Sequence, residues 1–304
     1  MRLSIIANPA AGRGRAYQSI LDHVQCWKHP EWEVEILTTR SRDHAGLLAR
    51  GLLHNPPDLL AIAGGDGTVN EVATHVPNPP FPVAILPSGT ANVLARELGL
   101  PLHPIRALDV ALKRSIRKVD LGELGPGRRR RFLFVAGIGF DAFVASAVRP
   151  GAKAVLGMAA YGAAIVRCLR SYRFPEFRVT CGKNTFTATS CLASNARSYG
   201  GGLLFSPDAD MSDGLLDILV LEGKRRLELA RFLFQAWRGK AECGGWIHRL
   251  RAPALRIEGP AEVMLQADGE PAGNLPLDIR LEHAIFPLVV PQELQDSNTP
   301  SVIL

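Results

Sequence analysis

The stretch "AIAGGDGTVNEVA", residues 61–73, decides the fold of the N-terminal part of the chain. A short apolar run leads into three glycines, and a helix-like pattern follows them directly. Glycines at a strand-to-helix turn allow backbone N–H groups to approach phosphate oxygens at the helix N-terminus. The stretch therefore predicts a strand, a phosphate-binding turn and a helix. The chain has neither GxxxxGK[ST] nor a true GxGxxG, so P-loop and Rossmann dinucleotide binding are not supported.

One acid, Asp66, stands among these glycines. A carboxylate that faces a polyphosphate is repelled unless a divalent cation lies between them or the carboxylate handles a proton or the incoming hydroxyl. Either task indicates phosphoryl transfer rather than storage of a nucleotide. The alternative is that Asp66 is a turn acid that caps the following helix.

The sequence around this stretch alternates between two kinds of segment. Short apolar runs are each followed by a polar or glycine-rich loop and a longer mixed stretch; the runs are "LSIIA", "EVEIL", "DLLAIA" and "PVAIL". Such alternation is typical of βαβ units that build a parallel sheet. The loops after the four runs would all emerge at the carboxyl edge, where open α/β sheets bind ligands. Together "NPAAGRGR" from Asn8, "TTR" at 38–40, "GGDGTVNE" from Gly64 and "PSGTAN" from Pro87 predict a nucleotide phosphate site.

After about residue 120 the pattern changes to closely spaced strands separated by Gly, Asp and Pro turns. This pattern predicts a second, antiparallel, sandwich-like domain. Helix-like segments interrupt it around 151–169 and 225–240. In the first of these, the uncharged stretch between Lys153 and Arg167 is shorter than the roughly 20 residues that cross a bilayer, so we expect a core or interface helix.

Composition narrows the class of protein. A chain of 304 residues is long enough for two domains, and its net charge of +6 suits an acidic partner such as nucleic acid, an anionic membrane or a polyphosphate. The basic run "GPGRRRRF" at 125–132 is either a solvated hairpin tip or a contact for anionic lipid heads.

Five cysteines without a CxxC pair argue against a disulfide framework and a zinc site. The N-terminal apolar run is too short for a signal peptide, so we expect a cytoplasmic protein.

Seven segments, in order along the chain, resemble the diacylglycerol kinase catalytic-domain family, which includes bacterial lipid kinases and the sphingosine and ceramide kinases. They are "NPAAGRG", "GGDGTVNEV", "PSGTANVLARELGLP", "VDLGEL" with "GIGFDA", "SNARSYGGGLLFSPDADMSDGLLDILVL", and "DGE" at 268–270. The more distant NAD kinases share a "GGDGT" loop, but the later segments are similar to the lipid kinases.

This resemblance implies an NAD kinase/diacylglycerol kinase-like fold. An α/β ATP-binding domain with a parallel sheet would span 1–121 and be completed by 291–304. An antiparallel β-sandwich domain for the lipid substrate would span 122–290. The resemblance also implies ATP and Mg2+ as cofactors, a lipid reached at a membrane surface, no nucleic acid and no transmembrane span. Basic residues 128–131 or 224–226 and the segment 151–169 are candidate membrane contacts, and a homodimer stays open.

By the same resemblance, a set of loop residues would line the ATP site: Asn8, Thr39, Gly64, Gly65, Asp66, Gly67, Thr68, Asn70, Glu71 and Thr90. Arg13 stands where some relatives carry lysine, and would offset phosphate charge.

The acidic segment "DADMSDGLLD", residues 208–217, is a second candidate site. Oxygen-rich clusters suit Mg2+, although this one lacks the EF-hand spacing. Taken alone it is equally an acidic turn before a strand. The resemblance implies a structural Mg2+ around Asp210, Asp213 and Leu215, held partly through backbone carbonyls.

The pair Asp268-Gly269 predicts a tight hairpin turn. The resemblance makes Glu270 the proton acceptor for the substrate hydroxyl, with Asp66 as its metal-linked or hydroxyl-orienting partner at a cleft between the domains; in sphingosine-kinase-like relatives the Asp66 position is itself the acceptor. Phe134 stands where many relatives have asparagine, a departure from the family pattern that bears on substrate fit.

The resulting hypothesis is an ATP-dependent kinase that phosphorylates a lipid hydroxyl, with diacylglycerol as the default substrate. Alternatives are a soluble small-molecule or NAD-type kinase and a non-catalytic nucleotide-binding regulator.

Overall fold

A computed structural model describes residues 1–125, 130–147, 158–199, 203–238 and 244–292. The chain divides into two compact units. Unit 1 is Met1–Val119 together with the segment that begins at Ala284, and unit 2 is Asp120–His283. The predicted domain boundaries, between residues 121 and 122 and between residues 290 and 291, stay predictions. Residues 293–304 lie outside the described part of the chain.

Unit 1 alternates strands and helices. Its elements are β1 (Arg2–Ala7), α1 (Arg15–Gln25), β2 (Glu33–Thr38), α2 (His44–Gly51), β3 (Leu59–Gly64), α3 (Asp66–His75), β4 (Val83–Pro87), α4 (Val93–Glu97) and α5 (Pro104–Ala111). Short 3-10 turns precede α1 and follow α2. The strands run parallel in the order β2-β1-β3-β4. Every residue of β3 and β4 is buried, as expected for parallel strands that are covered on both faces.

The core of unit 1 forms where helices cover the sheet. Ile20 of α1 and Leu108 of α5 pack with Leu3, Ile5 and other apolar strand residues in one buried cluster. On α5, Pro104 occupies the first helical position, where its missing N–H has no intrahelical acceptor to lose. These contacts fix the carboxyl ends of the strands, and therefore the loops that leave them.

Unit 2 is built mainly from strands. Its elements are β5 (Ile116–Gly125), β6 (Arg130–Phe132), β7 (Val135–Gly139), α6 (Phe140–Ala147), α7 (Met158–Ser171), β8 (Phe177–Cys181), β9 (Asn184–Ala188), β10 (Ser190–Ser194), β11 (Ser198–Tyr199), β12 (Leu203–Leu204), β13 (Leu216–Leu221), α8 (Arg226–Trp237), β14 (Ile247–Ala252), β15 (Ala254–Glu258), β16 (Met264–Ala267), β17 (Glu270–Asn274) and β18 (Leu277–Val289). β5 begins in unit 1, and β18 ends there beside β4, with Leu288 opposite Val83.

Two antiparallel layers enclose the core of unit 2. One layer has the order β14-β13-β10-β7-β16-β17, and the other includes β15, β8 and β9 beside the first part of β18. Ile138 and Leu265 from the first layer and Val179 and Ile257 from the second belong to a single buried cluster. The layers therefore pack face to face as a sandwich. The predicted change from a parallel α/β part to an antiparallel part is confirmed.

Helix α7 overlaps the predicted 151–169 segment, of which residues 151–157 lie outside the described chain. It buries Ala164 and Cys168. None of the helices that the structure describes combines the length and apolar character needed to cross a bilayer. Cys168 and the other described cysteines, Cys26, Cys181 and Cys191, are free thiols, and Cys243 lies outside the described residues.

Candidate active site

The four loops of unit 1 meet at one edge of its sheet. The register pairs Ala7 with both Thr38 and Ala63, and Gly64 with Pro87. Backbone bonds extend this order past the strand ends: Asn8 N–H donates to the Ala63 carbonyl at 2.8 Å. The predicted proximity of the loops is therefore present in unit 1.

Three of the loops touch through glycines. A Cβ on Gly89 would lie 2.6 Å from the Cα of Gly65, and a Cβ on Gly12 would lie 2.5 Å from the carbonyl oxygen of Ser88. Gly12 also has a positive φ of 56°, which favours glycine. At these positions any side chain would force the loops apart.

Gly67 is different, because it faces open space. It is exposed, lies in the first turn of α3, and a Cβ built on it meets nothing within 4 Å. The first N–H groups of a helix have no intrahelical acceptor. The start of α3 is therefore an exposed backbone surface that anionic oxygens could approach.

Asp66 does not cap its own helix. Its two carboxylate oxygens accept the N–H groups of Val93 and Leu94, each at 3.0 Å, at the start of α4. The residue before α4, Asn92, is left-handed (φ 48°) and makes no side-chain cap for that helix. Instead, the Asn92 amide exchanges two hydrogen bonds with the backbone of Gly89. Asp66 thus joins the glycine turn to the next loop, and each of its oxygens keeps a second lone pair.

Glu71 serves the other neighbouring helix. Its carboxylate accepts the N–H of Ala45 at 3.2 Å, near the start of α2, where Asp43 is left-handed (φ 63°) and provides no side-chain cap. Burial raises the pKa of Glu71, against the lowering effect of backbone hydrogen bonds from Asp43 and Ala45. The two acids of α3 therefore hold the N-termini of α2 and α4.

The remaining predicted ATP-site residues divide by exposure. Thr39, Thr68 and Asn70 are buried, and the amide of Asn8 donates to the Thr68 hydroxyl at 3.2 Å, which ties the first loop to α3. Thr90 is exposed. The side chain of Arg13 lies outside what the structure describes.

In unit 2, Glu270 follows a two-residue hairpin turn. Ala267 pairs with Glu270 across β16 and β17, and the intervening Asp268 and Gly269 have φ values of 49° and 80°. Positive φ at both central residues is typical of a type I′ turn, as the Asp-Gly pair predicts. Glu270 is half-buried at the first position of β17.

The Asp268 carboxylate anchors this turn. It accepts the N–H groups of Leu133, Phe134 and Val135 at 2.7, 3.0 and 3.0 Å. Phe134 contributes its backbone here, so the unusual side chain at that position leaves this support unchanged.

A fully buried glutamine holds the turn from the other side. The Gln266 side chain accepts the Gly269 N–H at 2.6 Å and donates to the Asp141 carboxylate at 2.6 Å. A Cβ on Gly137 would lie 1.8 Å from the same Asp141 oxygen, so this network needs a glycine there. Asp268 and Gln266 together determine where Glu270 stands.

The predicted magnesium ligands are bonded to protein donors. Asp210 accepts the N–H and the hydroxyl of Ser212 at 3.0 and 2.8 Å. Asp213 accepts the Leu215 N–H at 2.9 Å through one oxygen and contacts the Arg251 guanidinium through the other. Both Ser212 bonds enter the same Asp210 oxygen, and a carboxylate oxygen that accepts one hydrogen bond keeps a second lone pair, so the magnesium site at Asp210, Asp213 and Leu215 stays a prediction. Within the described residues, no group of three or more His, Cys, Asp or Glu side chains is arranged to hold a metal.

Arg251 neutralises more than one acid of this segment. Its Nε lies 3.5 Å from the Asp217 carboxylate, and β13 and β14 place the two residues directly opposite each other. Burial raises the pKa of Asp217, and the Arg251 charge opposes that shift. Arg251 therefore supplies a positive charge to both Asp213 and Asp217.

The basic run at 125–132 is partly described. β5 and β6 pair across it, with Glu123 opposite Arg131, and residues 126–129 lie outside the described chain. Arg131 is 14% exposed and pairs with Glu282 at 2.6 Å. The positive charge of Arg131 is therefore paired with an acid of unit 2.

Sequence reasoning missed several residues that shape the site, namely Gly12, Gly89, Asn92, Gln266 and Asp141. Gly12 and Gly89 could have been found from the sequence, since they lie in the predicted ligand loops "NPAAGRG" and "PSGTAN". No sequence pattern indicates the role of Gln266, because a polar residue in an apolar strand pattern does not show which partners it bonds.

Comparison with known proteins assigns both parts of the chain to described families. Residues 2–124 match the family described as the diacylglycerol kinase catalytic domain, and residues 135–295 match the YegS C-terminal NAD kinase beta sandwich-like domain. A diacylglycerol kinase from Mycobacterium tuberculosis is 31% identical over 297 residues, which cover 96% of each chain.

Solved structures show the same fold. A diacylglycerol kinase from Bacillus anthracis has a TM-score of 0.76 at 24% identity, covering 96% of this chain and 98% of that one. An NAD kinase from Archaeoglobus fulgidus in complex with ATP has a TM-score of 0.52 at 11% identity, covering 96% and 95%. The resemblance drawn from the sequence is confirmed, and the chain belongs to the diacylglycerol kinase family.

Proposed function

We propose that the protein is an ATP-dependent lipid kinase that transfers the γ-phosphate of ATP to a lipid hydroxyl, with diacylglycerol as the substrate and phosphatidic acid as the product. The observation that carries the proposal is the exposed backbone at the start of α3, where a Cβ built on Gly67 would meet nothing within 4 Å. The family, whose relatives are named for diacylglycerol, supports the choice of substrate.

ATP would place its phosphates on this surface. The contact between Gly65 and Gly89 brings two loops together, and Asp66 fixes the second loop through α4. In phosphoryl transfer, a protein contributes mainly positioning and electrostatic stabilisation, and Mg2+ that enters with ATP neutralises charge on the phosphate oxygens. The second lone pairs of Asp66 would face that ion or the attacking hydroxyl.

Glu270 would act as the general base. Its carboxylate accepts the proton of the lipid hydroxyl while the hydroxyl oxygen forms a bond to the γ-phosphorus and the bond from that phosphorus to the bridging oxygen of ADP breaks. The anchored turn at Asp268-Gly269 supports this role, because a base must stand at a defined position to share a proton in the transition state.

The direct test uses labelled ATP. Purified protein is incubated with γ-labelled ATP and a total lipid extract, and the products are divided into lipid and water-soluble fractions. We expect label in a lipid that co-migrates with phosphatidic acid. Label only in water-soluble products would indicate a soluble substrate, as in an NAD-type kinase, and absence of label in both fractions would favour a nucleotide-binding regulator.

Gly67→Ala tests the phosphate surface. Alanine is favoured over glycine inside a helix by about 1 kcal/mol, so stability is expected to stay or rise. The methyl group would occupy the space proposed for phosphate, so the Kd for ATP, measured by calorimetry, is expected to rise at least about tenfold, or 1.4 kcal/mol. Gly51→Ala is the matched control, since Gly51 is also helical and a Cβ built on it also meets nothing within 4 Å. Unchanged ATP affinity in Gly67→Ala would contradict this placement.

Arg251→Gln tests the acidic segment. With Arg251 present, we expect the thermal unfolding temperature without nucleotide to be the same in Mg2+ and in EDTA. The variant leaves Asp213 and Asp217 without their cationic partner, so its unfolding temperature is expected to fall by several degrees and to recover in Mg2+. Arg256→Gln, at an exposed ion pair in the same unit, serves as the control. Stabilisation of the unmodified protein by Mg2+ would contradict this expectation and support the predicted metal site at Asp210, Asp213 and Leu215.

A further inference from the structure

Helix α8 has an apolar face that is well anchored. Leu229, Phe232 and Ala236 are 5%, 2% and 0% exposed. The ring of Phe232 stacks against Phe205 at a centroid distance of 5.9 Å and contacts Trp246 edge-on at 6.3 Å. This face attaches the helix to unit 2 and fixes which side of it points to solvent.

The opposite side carries two more apolar residues. Leu227 is 81% exposed and Phe234 is 56% exposed, the highest values for large apolar side chains in the described part of the chain. They lie seven residues apart, which is about two helical turns, so they project from the same face. Single exposed apolar residues need no explanation, but two on one face form a patch.

Basic side chains surround this patch. The exposed ones are Lys224, Arg225, Arg226, Arg231 and Arg238. Lys224 contacts Glu176 and Arg225 lies 4.0 Å from Glu228, so five cations stand against two carboxylates. The Arg238 guanidinium lies over the Phe234 ring at 5.8 Å. The surface is therefore both apolar and cationic.

We propose that this surface docks the protein on an anionic phospholipid bilayer. The surface is defined by Lys224, Arg225, Arg226, Leu227, Arg231, Phe234 and Arg238, and is called the α8 face. Leu227 and Phe234 would enter the boundary between headgroups and acyl chains while the arginines contact lipid phosphates, as interfacial amphipathic helices do. The inference deepens the proposed function, on which it rests, by naming the surface that brings the enzyme to its lipid.

Charge argues for a bilayer over a second copy of the chain. In a two-fold symmetric dimer the same patch faces itself, so the arginines of two α8 faces would oppose one another. An anionic bilayer supplies negative charge together with an apolar layer, and each Lys or Arg near such a surface contributes about fivefold to binding.

The test measures binding to vesicles without ATP or diacylglycerol. The full chain is sedimented with vesicles of phosphatidylglycerol and phosphatidylcholine, and with vesicles of phosphatidylcholine alone. We expect binding to the anionic vesicles that weakens at least about tenfold in Leu227→Gln/Phe234→Gln and about fivefold in Arg231→Gln. Leu47→Gln and Arg50→Gln, at exposed positions of α2, are the matched controls and are expected to bind normally.

Activity separates this inference from the proposed function. With short-chain diacylglycerol in neutral detergent micelles, Leu227→Gln/Phe234→Gln should phosphorylate at the rate of the unmodified protein. If that variant bound vesicles as tightly as the unmodified protein does, the α8 face would not be the docking surface. Equal binding of the unmodified protein to anionic and to neutral vesicles would also overturn the proposal. A loss of dimer mass in that variant by ultracentrifugation, with vesicle binding intact, would overturn it in favour of self-association. An unmodified protein that binds vesicles but phosphorylates no lipid would defeat the proposed function alone.

Discussion

Replacing Glu270 by glutamine is expected to lower kcat for lipid phosphorylation by about 100-fold or more, the scale of a lost general base. Glutamine has nearly the same shape but cannot accept the hydroxyl proton. The turn before it is held by Asp268 and Gln266, so the turn should keep its position in the variant. The Kd for ATP, measured by calorimetry, is expected to stay near the value of the unmodified protein.

Glu262→Gln is the matched control for this prediction, since Glu262 is an exposed acid in the same unit. Its kcat should match that of the unmodified protein. Full activity in Glu270→Gln would remove Glu270 as the base and favour Asp66, the alternative proton acceptor, for that role. A loss of kcat together with a lower unfolding temperature would indicate that Glu270 supports the fold.

Replacing Asp66 by alanine has the second large expected effect. It removes two charge-assisted hydrogen bonds from the start of α4, so the free energy of unfolding should fall by about 2 kcal/mol. The loop that α4 follows would then lose its position, and a misplacement of about 1 Å can cost about 100-fold in rate. Denaturant unfolding and kcat/KM for ATP measure the two losses.

Asp66→Asn distinguishes positioning from chemistry. Asparagine offers one acceptor oxygen in place of two, so it should keep part of the cap and lose less stability than alanine. Asp109→Ala, at an exposed position of α5, is the control and should change neither quantity. If Asp66→Asn unfolds like the unmodified protein but is as inactive as Asp66→Ala, then Asp66 acts on the metal or the hydroxyl and the loop is not its main target.

The fold was predictable because its signals are local. The run from Ala61 to Ala73 contains a strand, a glycine turn and a helix within a few residues, and the structure has them as β3 and α3. The Asp-Gly pair at 268–269 likewise indicates its own turn. The alternation of apolar runs and mixed stretches was enough to predict a parallel sheet and the edge where its loops meet.

The contacts inside the site were not predictable, because they join residues far apart in sequence. Asp66 reaches Val93 and Leu94, and Asp213 reaches Arg251, through pairings that the sheets determine. Position in a motif predicts that Asp66 lies near phosphate, but it does not indicate which N–H groups its carboxylate accepts. The same limit applies to the magnesium ligands, since spacing cannot show that an arginine from another strand already contacts Asp213.

The carboxylates of α3 have a consequence for changing this enzyme by design. Because Asp66 completes the start of α4 and Glu71 completes the start of α2, the glycine turn is one part of a module three helices wide. Grafting that turn onto another scaffold would leave two neighbouring helices without their caps. A working transplant has to carry the residues near 43–45 and 89–94 along with it.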